Sequence, residues 1–159
     1  MGGGGGQTPF IRGIDELLKA AKDELRDKTA PERKNVFISF AYEDINDVNL
    51  LRGQAKNDNM DLEFNDWSVR APFNSEKADY IKTKISERIN ASSVTVVYVS
   101  ENTPESSWVK WEVQKSLELG KKVLAVYSGK TQPPLPTVIT GNKIKAVPWA
   151  NLAAELEKI

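Results

Sequence analysis

The 159-residue sequence contains no cysteine and no histidine. Without cysteine there are no disulfides and no thiol nucleophiles, and without histidine there are no His-centred catalytic triads. The usual zinc sites need these residues, so we expect no metal ion. No apolar run approaches the roughly 20 residues that cross a bilayer, and the first residues, MGGGGGQTPF, lack the basic and apolar regions of a signal peptide. We therefore predict a cytoplasmic protein with no membrane partner.

The sequence also lacks an excess of charge of either sign, since 22 Lys and Arg stand against 22 Asp and Glu. No bulk positive field favours nucleic acid, and we predict no such partner. A hydrophobic fraction of 40% is typical of a globular protein, and the length fits one domain. We divide the chain into a flexible glycine-rich arm (1–7), an N-terminal helix with its linker (8–33) and a main domain (34–159).

The segment after the glycine run predicts an amphipathic helix that ends near Asp27. Thr8 and Pro9 match the start of a helix, as N-cap and first helical residue. Apolar residues then recur at helical spacing, at Phe10, Ile14, Leu17, Ala21 and Leu25. This stripe either docks on the main domain or pairs with another chain.

Strand and helix patterns alternate through the main domain. Strands are predicted over 35–40, 61–65, 94–99, 122–127 and 144–147. Helices are predicted around Val48 to Ala55, from the N-cap Ser75 to Asn90, over 104–119, and from the N-cap Asn151 to the end. Such alternation with short connections indicates a parallel sheet with helices on both faces. We predict an α/β, flavodoxin-like three-layer sandwich with five parallel strands in the order 2-1-3-4-5.

In that strand order, ligands bind at the carboxyl ends of strands 1 and 3, where the winding direction reverses. The segments expected there are 40–44, 66–75 and 100–108, and they are rich in aromatic and polar residues. Loops of such folds are polar in any case, so this pattern alone leaves the presence of a site open.

The predicted helix 104–119 carries one carboxylate of interest, Glu112. At ~100° per residue, the sheet-packing face comprises Val109, Val113, Ser116, Leu117 and Gly120. Glu112 lies at the border of that face, one turn after Trp108, and too deep in the helix to complete a capping box. The spacing leaves two interpretations open: a solvated carboxylate paired with Lys115, or a functional group.

Three segments resemble TIR domains: NVFISFAYED, SVTVVYVSENTPESSWVKWEV and LELGKKVLAVY. They are most similar to the TIR-like family of bacterial Thoeris anti-phage systems, the ThsB-type proteins. The resemblance covers about Lys34 to Trp149 and leaves out the N-terminal helix. Its most specific part is the T-x-x-S-x-W-V-x-W-E run that follows a buried strand.

The resemblance implies a TIR fold and cleavage of NAD+ between nicotinamide and ribose, with NAD+ as substrate and no cofactor. It assigns the catalytic role to Glu112. The resemblance also implies residues that bind NAD+. The loop after strand 1 contributes Phe40, Ala41 and Tyr42, and the segment that closes over the pocket contributes Asp66, Trp67 and Asn74. Two further residues follow the third strand, Ser100 and Trp108. Self-association, through TIR surfaces or the N-terminal helix, and a separate effector reached by a nucleotide signal are implied partners.

The chemistry needs only one carboxylate. Nicotinamide leaves from an already cationic pyridinium, so no general acid is required, and a carboxylate stabilises the oxocarbenium-like ribose. Attack by water gives ADP-ribose, and attack by the same nucleotide gives a cyclic ADP-ribose isomer.

Three alternatives remain. One is a non-catalytic TIR-like module for protein interaction and assembly. A receiver domain needs an aspartate at the end of strand 3, where this chain has Tyr98-Val99-Ser100. Nucleoside deoxyribosyltransferase-like chemistry also uses a single glutamate on a related sheet.

Overall fold

The computed structural model describes residue 18, residues 34–55 and 72–159, and the backbone of 56–57 and 62–66. The chain divides into two units, Met1–Glu32 and Arg33–Ile159, and the sheet lies in the second. Apart from Leu18, the predicted N-terminal helix lies outside the described residues.

Five parallel strands form one sheet: β1 (Lys34–Ser39), β2 (Leu62–Asp66), β3 (Val94–Tyr98), β4 (Lys122–Tyr127) and β5 (Ala146–Pro148). Their order is β2-β1-β3-β4-β5, which confirms the predicted flavodoxin-like arrangement. Strands β1 and β3 are central, and Phe37 of β1 pairs with Thr95 of β3. All five residues of β3 are buried, as expected for a strand of mostly β-branched residues that is covered on both faces.

In the described part of the second unit, five α-helices accompany the sheet: α1 (Ile45–Asn57), α2 (Ala78–Ala91), α3 (Ser107–Glu118), α4 (Thr137–Thr140) and α5 (Leu152–Glu157). Helices α1 and α5 pack on one face, in a cluster that includes Val36, Ile38, Val48 and Leu152. Helices α2, α3 and α4 cover the other face, through residues such as Ile85, Val113 and Ile139. The domain is therefore a three-layer sandwich. None of the described helices is both long and apolar enough to cross a membrane.

Alternation along β1 decides which side chains meet α3. Val36 and Ile38 belong to the cluster under α1 and α5, whereas Phe37 packs with Ile85 and Ile89 of α2. Ser39 is two residues after Phe37 and therefore shares the second face, because side chains of a strand alternate with a period of two. The carboxyl end of β1 thus presents a hydroxyl group to the layer that contains α3.

Helix α3 is defined by strong signals at both ends. The Ser106 hydroxyl accepts a hydrogen bond from the amide of Val109 (3.2 Å), so Ser106 is the N-cap. At the other end Gly120 has φ +73°, and the amides of Gly120 and Lys121 donate to the carbonyls of Leu117 and Ser116. This is a Schellman motif, which confirms the glycine as the end signal.

Two predicted helix starts were wrong. The helix predicted from residue 104 begins at Ser107, because Thr103–Glu105 forms a separate 3-10 turn. The helix predicted after Ser75 begins at Ala78. Ser75 lies instead in a preceding turn, where its carbonyl accepts from the amide of Ala78. Serine is favoured in turns as well as at N-caps, so the residue type alone did not separate the two positions.

Candidate active site

Glu112 lies in the buried stripe of α3 and exposes only 3% of its surface. The stripe comprises Val109, Glu112, Val113 and Ser116. The predicted packing face was therefore partly wrong, since Leu117, expected to pack on the sheet, is 37% exposed. The physical reason is that α3 packs against both the sheet and α2, so the flank that carries Glu112 is also covered.

Ser39 is the hydrogen-bond partner of this carboxyl group. Its Oγ donates to Glu112 Oε1 over 2.6 Å, and Ser39 itself is fully buried. Burial raises the pKa of Glu112 from 4.5 to about 8, and the Ser39 hydrogen bond opposes that rise by stabilising the carboxylate. The surface pair between Glu112 and Lys115 does not form, because Lys115 binds Glu118 at 3.0 Å.

Aromatic side chains flank the turn of α3 that precedes Glu112. Trp108 is half-buried, with its ring edge-on to Phe73 at 4.9 Å and to Trp111 at 6.1 Å. Lys82 of α2 places its Nζ 4.4 Å from the centre of the Phe73 ring. Trp108 is four residues before Glu112, and residues at that spacing share a side of a helix. Trp108 and Glu112 are thus brought to the same side of α3.

A second buried carboxylate, Asp44, joins the turns that follow β1 and β3. It accepts hydrogen bonds from Ser100 Oγ (2.5 Å) and Asn102 Nδ2 (2.8 Å). Ser100, expected to bind NAD+, therefore directs its hydroxyl to Asp44. The sequence placed Asp44 in the segment 40–44 but did not distinguish it from its exposed neighbour Glu43.

The loop after β1 is divided between the core and the surface. Phe40 packs in the cluster under α1 and α5, on the face opposite Ser39 and Glu112. Ala41 is fully buried, whereas Tyr42 is 44% exposed. The structure thus does not bring Phe40 and Glu112 together on one face of the sheet.

The remaining predicted residues lie at the end of β2 and in the segment between β2 and α2. Asn74 is exposed in the turn before α2. Asp66 ends β2, where only its backbone is described, and Trp67 lies outside the described residues. Ser39 was missed by the sequence reasoning; its signal was a single hydroxyl in the otherwise apolar run VFISF.

Comparison with known proteins identifies the matching family. The family model "Thoeris protein ThsB, TIR-like domain" matches residues 37–133. The protein named "Putative cyclic ADP-D-ribose synthase ThsB1" of Bacillus cereus (strain MSX-D12) is 31% identical over 98 residues, 59% of this chain and 51% of that protein. The protein named "Putative cyclic ADP-D-ribose synthase TIR2" of Cytobacillus dafuensis is 25% identical over 119 residues, 74% of this chain and 30% of that protein.

The chain thus spans about half or less of the length of these two relatives. Among solved structures, the TIR domain of the Toll-related receptor TRR-2 from Hydra magnipapillata superposes with a TM-score of 0.52. The alignment covers 76% of this chain and 88% of that domain at 16% identity, so the likeness concerns the fold.

Proposed function

We propose that this chain, which belongs to the TIR-like domain family of the Thoeris protein ThsB, cleaves NAD+ between nicotinamide and ribose with Glu112 as the catalytic group. One observation carries the proposal. Glu112 is a single carboxyl group that is buried between α3 and the sheet and held by Ser39 at the carboxyl end of β1. The cyclic ADP-D-ribose synthase names of two relatives support NAD+ as the substrate.

A single carboxylate matches the demands of this reaction. The bond between ribose C1′ and the pyridinium nitrogen breaks, and its electron pair stays on the nitrogen, so nicotinamide leaves as a neutral molecule without a proton donor. Positive charge then develops on the ribose as an oxocarbenium ion. A carboxylate in a water-poor site stabilises that charge strongly, because little solvent screens the interaction.

The ionisation of Glu112 couples to substrate binding. Because burial raises its pKa to about 8, the group is mostly protonated at neutral pH in the free protein. The pyridinium of bound NAD+ carries a positive charge, and a nearby positive charge favours the carboxylate form. Binding of NAD+ beside Glu112 therefore promotes the loss of a proton and produces the form that stabilises the oxocarbenium ion.

The proposed product is a cyclic ADP-ribose isomer. A nucleophilic atom of the same nucleotide forms a bond to C1′ and one proton is released, whereas attack by water would give ADP-ribose and a proton. The names of the relatives support cyclisation. Self-association of TIR surfaces and a separate effector that binds the nucleotide complete the proposal.

The test is nicotinamide release from NAD+ by the purified protein, with products identified by mass, at low and high protein concentration. Wild type and Glu118→Gln should release nicotinamide, and Glu112→Gln should lose at least about a hundredfold in rate. Glu118 is a suitable control because it is an exposed carboxylate on the same helix. Equal rates for wild type and Glu112→Gln would assign the chemistry to another residue.

A non-catalytic interaction module is the second candidate. The burial of Glu112 favours it, because a carboxyl group with 3% exposure meets a ligand only after the side chains that cover it have moved. If wild type releases no nicotinamide at either concentration, and Glu112→Gln associates with itself or with partners as wild type does, this second function is the correct one.

A further inference from the structure

Four polar side chains lie in the layer between α3 and the sheet, each no more than 3% exposed: Ser39, Thr95, Glu112 and Ser116. They form two pairs that link α3 to the central strands. Ser39 of β1 contacts the Glu112 carboxyl at 2.6 Å, and Thr95 of β3 lies 2.8 Å from Ser116, hydroxyl to hydroxyl. Buried polar groups destabilise a fold unless they are hydrogen-bonded, so each pair fixes α3 against one strand.

The two pairs differ in what they do to Glu112. Ser116 Oγ donates to the main-chain carbonyl of Glu112, one turn earlier in α3, at 2.8 Å. It is not a partner of the Glu112 side chain. Thr95 contacts Ser116 and does not contact the Glu112 carboxyl. Within the described part of the chain, Ser39 is the one residue that hydrogen-bonds to that carboxyl group.

We propose that Ser39 is a positioning residue, whose hydroxyl fixes the orientation of the Glu112 side chain and stabilises the carboxylate form. This inference rests on the proposed function, since the carboxylate is the form that cleavage requires. The hydroxyl can donate one hydrogen bond, and its donation to an ionised oxygen is stronger than to a neutral one. Ser39 therefore makes ionisation of Glu112 easier in a site where burial opposes it.

Among the residues that the structure describes, the other titratable groups on this side of the sheet do not replace Ser39. Lys82 of α2 lies over the rings of Phe73 and Trp111. Lys115 of α3 pairs with Glu118. Tyr127 ends β4, two strands away from β1. The shift of the Glu112 pKa has burial as its main cause and the Ser39 hydrogen bond as the opposing cause.

The test compares Ser39→Ala with Thr95→Val. Both variants remove a buried hydroxyl from the interface between α3 and the sheet, but only Ser39→Ala removes a partner of the carboxyl group. The Glu112 titration is followed by carbon NMR of labelled glutamate, assigned with Glu112→Gln. We expect Ser39→Ala to move the midpoint upward by about one pH unit, as the loss of a charge-assisted hydrogen bond implies. Thr95→Val should keep the wild-type midpoint.

Enzyme kinetics give a second readout. If nicotinamide release depends on the carboxylate, its rate should rise with pH as Glu112 ionises. Ser39→Ala should move this rise upward by about one pH unit, so that at pH values below the rise the variant is about tenfold less active than wild type. Thr95→Val should keep the wild-type pH profile. Ser39→Cys supplies a weaker donor in place of the hydroxyl and should also move the Glu112 midpoint to higher pH. This variant provides the test if Ser39→Ala fails to fold.

Equal titration midpoints in the serine variants, Thr95→Val and wild type would overturn the positioning role. If wild type releases no nicotinamide, the proposed function fails, but the titration still decides whether Ser39 controls the ionisation of Glu112. The two failures are therefore distinguishable.

Discussion

Ser100 donates a 2.5 Å hydrogen bond to Asp44, across 56 positions of sequence. Asp44 ends the 3-10 turn Tyr42–Asp44, and Ser100 follows β3, so this contact ties together the two turns at the centre of the carboxyl edge of the sheet. Asn102 donates to the second carboxylate oxygen. The geometry of the edge therefore depends on one buried side chain that is not itself expected to react.

Replacement of Asp44 by Ala should lower the free energy of unfolding by about 2–3 kcal/mol, because two donors lose their partner. The neighbouring Glu43→Ala, in the same turn but exposed, should change it by no more than about 0.5 kcal/mol. Urea denaturation followed by circular dichroism measures both. Similar losses for the two variants would mean that the Asp44 hydrogen bonds do not stabilise the domain.

The buried Glu112 should make stability depend on pH. The folded state keeps its proton up to about pH 8, whereas the unfolded chain releases it near pH 4.5. The unfolded state thus binds fewer protons in that window, and the free energy of unfolding should fall by a few kcal/mol between about pH 4.5 and 8, then level off. Chemical denaturation at a series of pH values measures this fall.

Glu112→Gln should flatten this pH dependence, because glutamine stays neutral and its oxygen still accepts from Ser39. Glu118→Gln removes an exposed carboxylate of the same helix and should leave the fall unchanged. A wild-type curve that is flat between pH 5 and 8 would show that Glu112 is ionised in the folded protein.

Two glycines should respond to alanine with opposite signs. Gly120 has φ +73°, which an L-residue adopts at a cost of roughly 1–2 kcal/mol, so Gly120→Ala should destabilise the domain. Gly53 lies inside α1, and an added methyl group would meet nothing within 4 Å. Gly53→Ala should therefore stabilise by about 0.5–1 kcal/mol. Thermal unfolding of both variants measures the difference, and a gain in stability at Gly120 would contradict the Schellman motif.

The edge-on contact of Phe73 and Trp108 should appear as a coupling energy. A double-mutant cycle with Phe73→Leu and Trp108→Leu should give about 0.5–1.5 kcal/mol beyond additivity. A matched cycle of Phe73 with Trp149, which packs on the opposite face of the sheet, should be additive. Additive losses in the first cycle would mean that Phe73 and Trp108 do not interact in solution.

The sequence predicted the architecture because the relevant signals are local. The run KVLAVY is β4 residue for residue, and Gly120 marked the end of α3. Both depend on the preferences of neighbouring residues, which a sequence displays directly.

The candidate site was less accessible to such reasoning. Helical spacing placed Leu117 on the packed face of α3 and Glu112 at the border of that face. The method compares the hydrophobicity of residues within one helix, so it does not detect a hydrogen-bond partner 73 positions away. Ser39 is that partner, and its hydrogen bond offsets part of the cost of burying the carboxyl group. The same limit applies to Asp44, whose donors come from a different turn.

The two outer strands of the sheet are unequal. Strand β5 has only three residues and ends in Pro148, which has no amide hydrogen to offer to a further strand. An edge that is this short and ends in proline resists the edge-to-edge pairing through which exposed sheets aggregate. At the other side, β2 presents five consecutive residues. Of these two strands, β5 is therefore the less suited to accept an added strand.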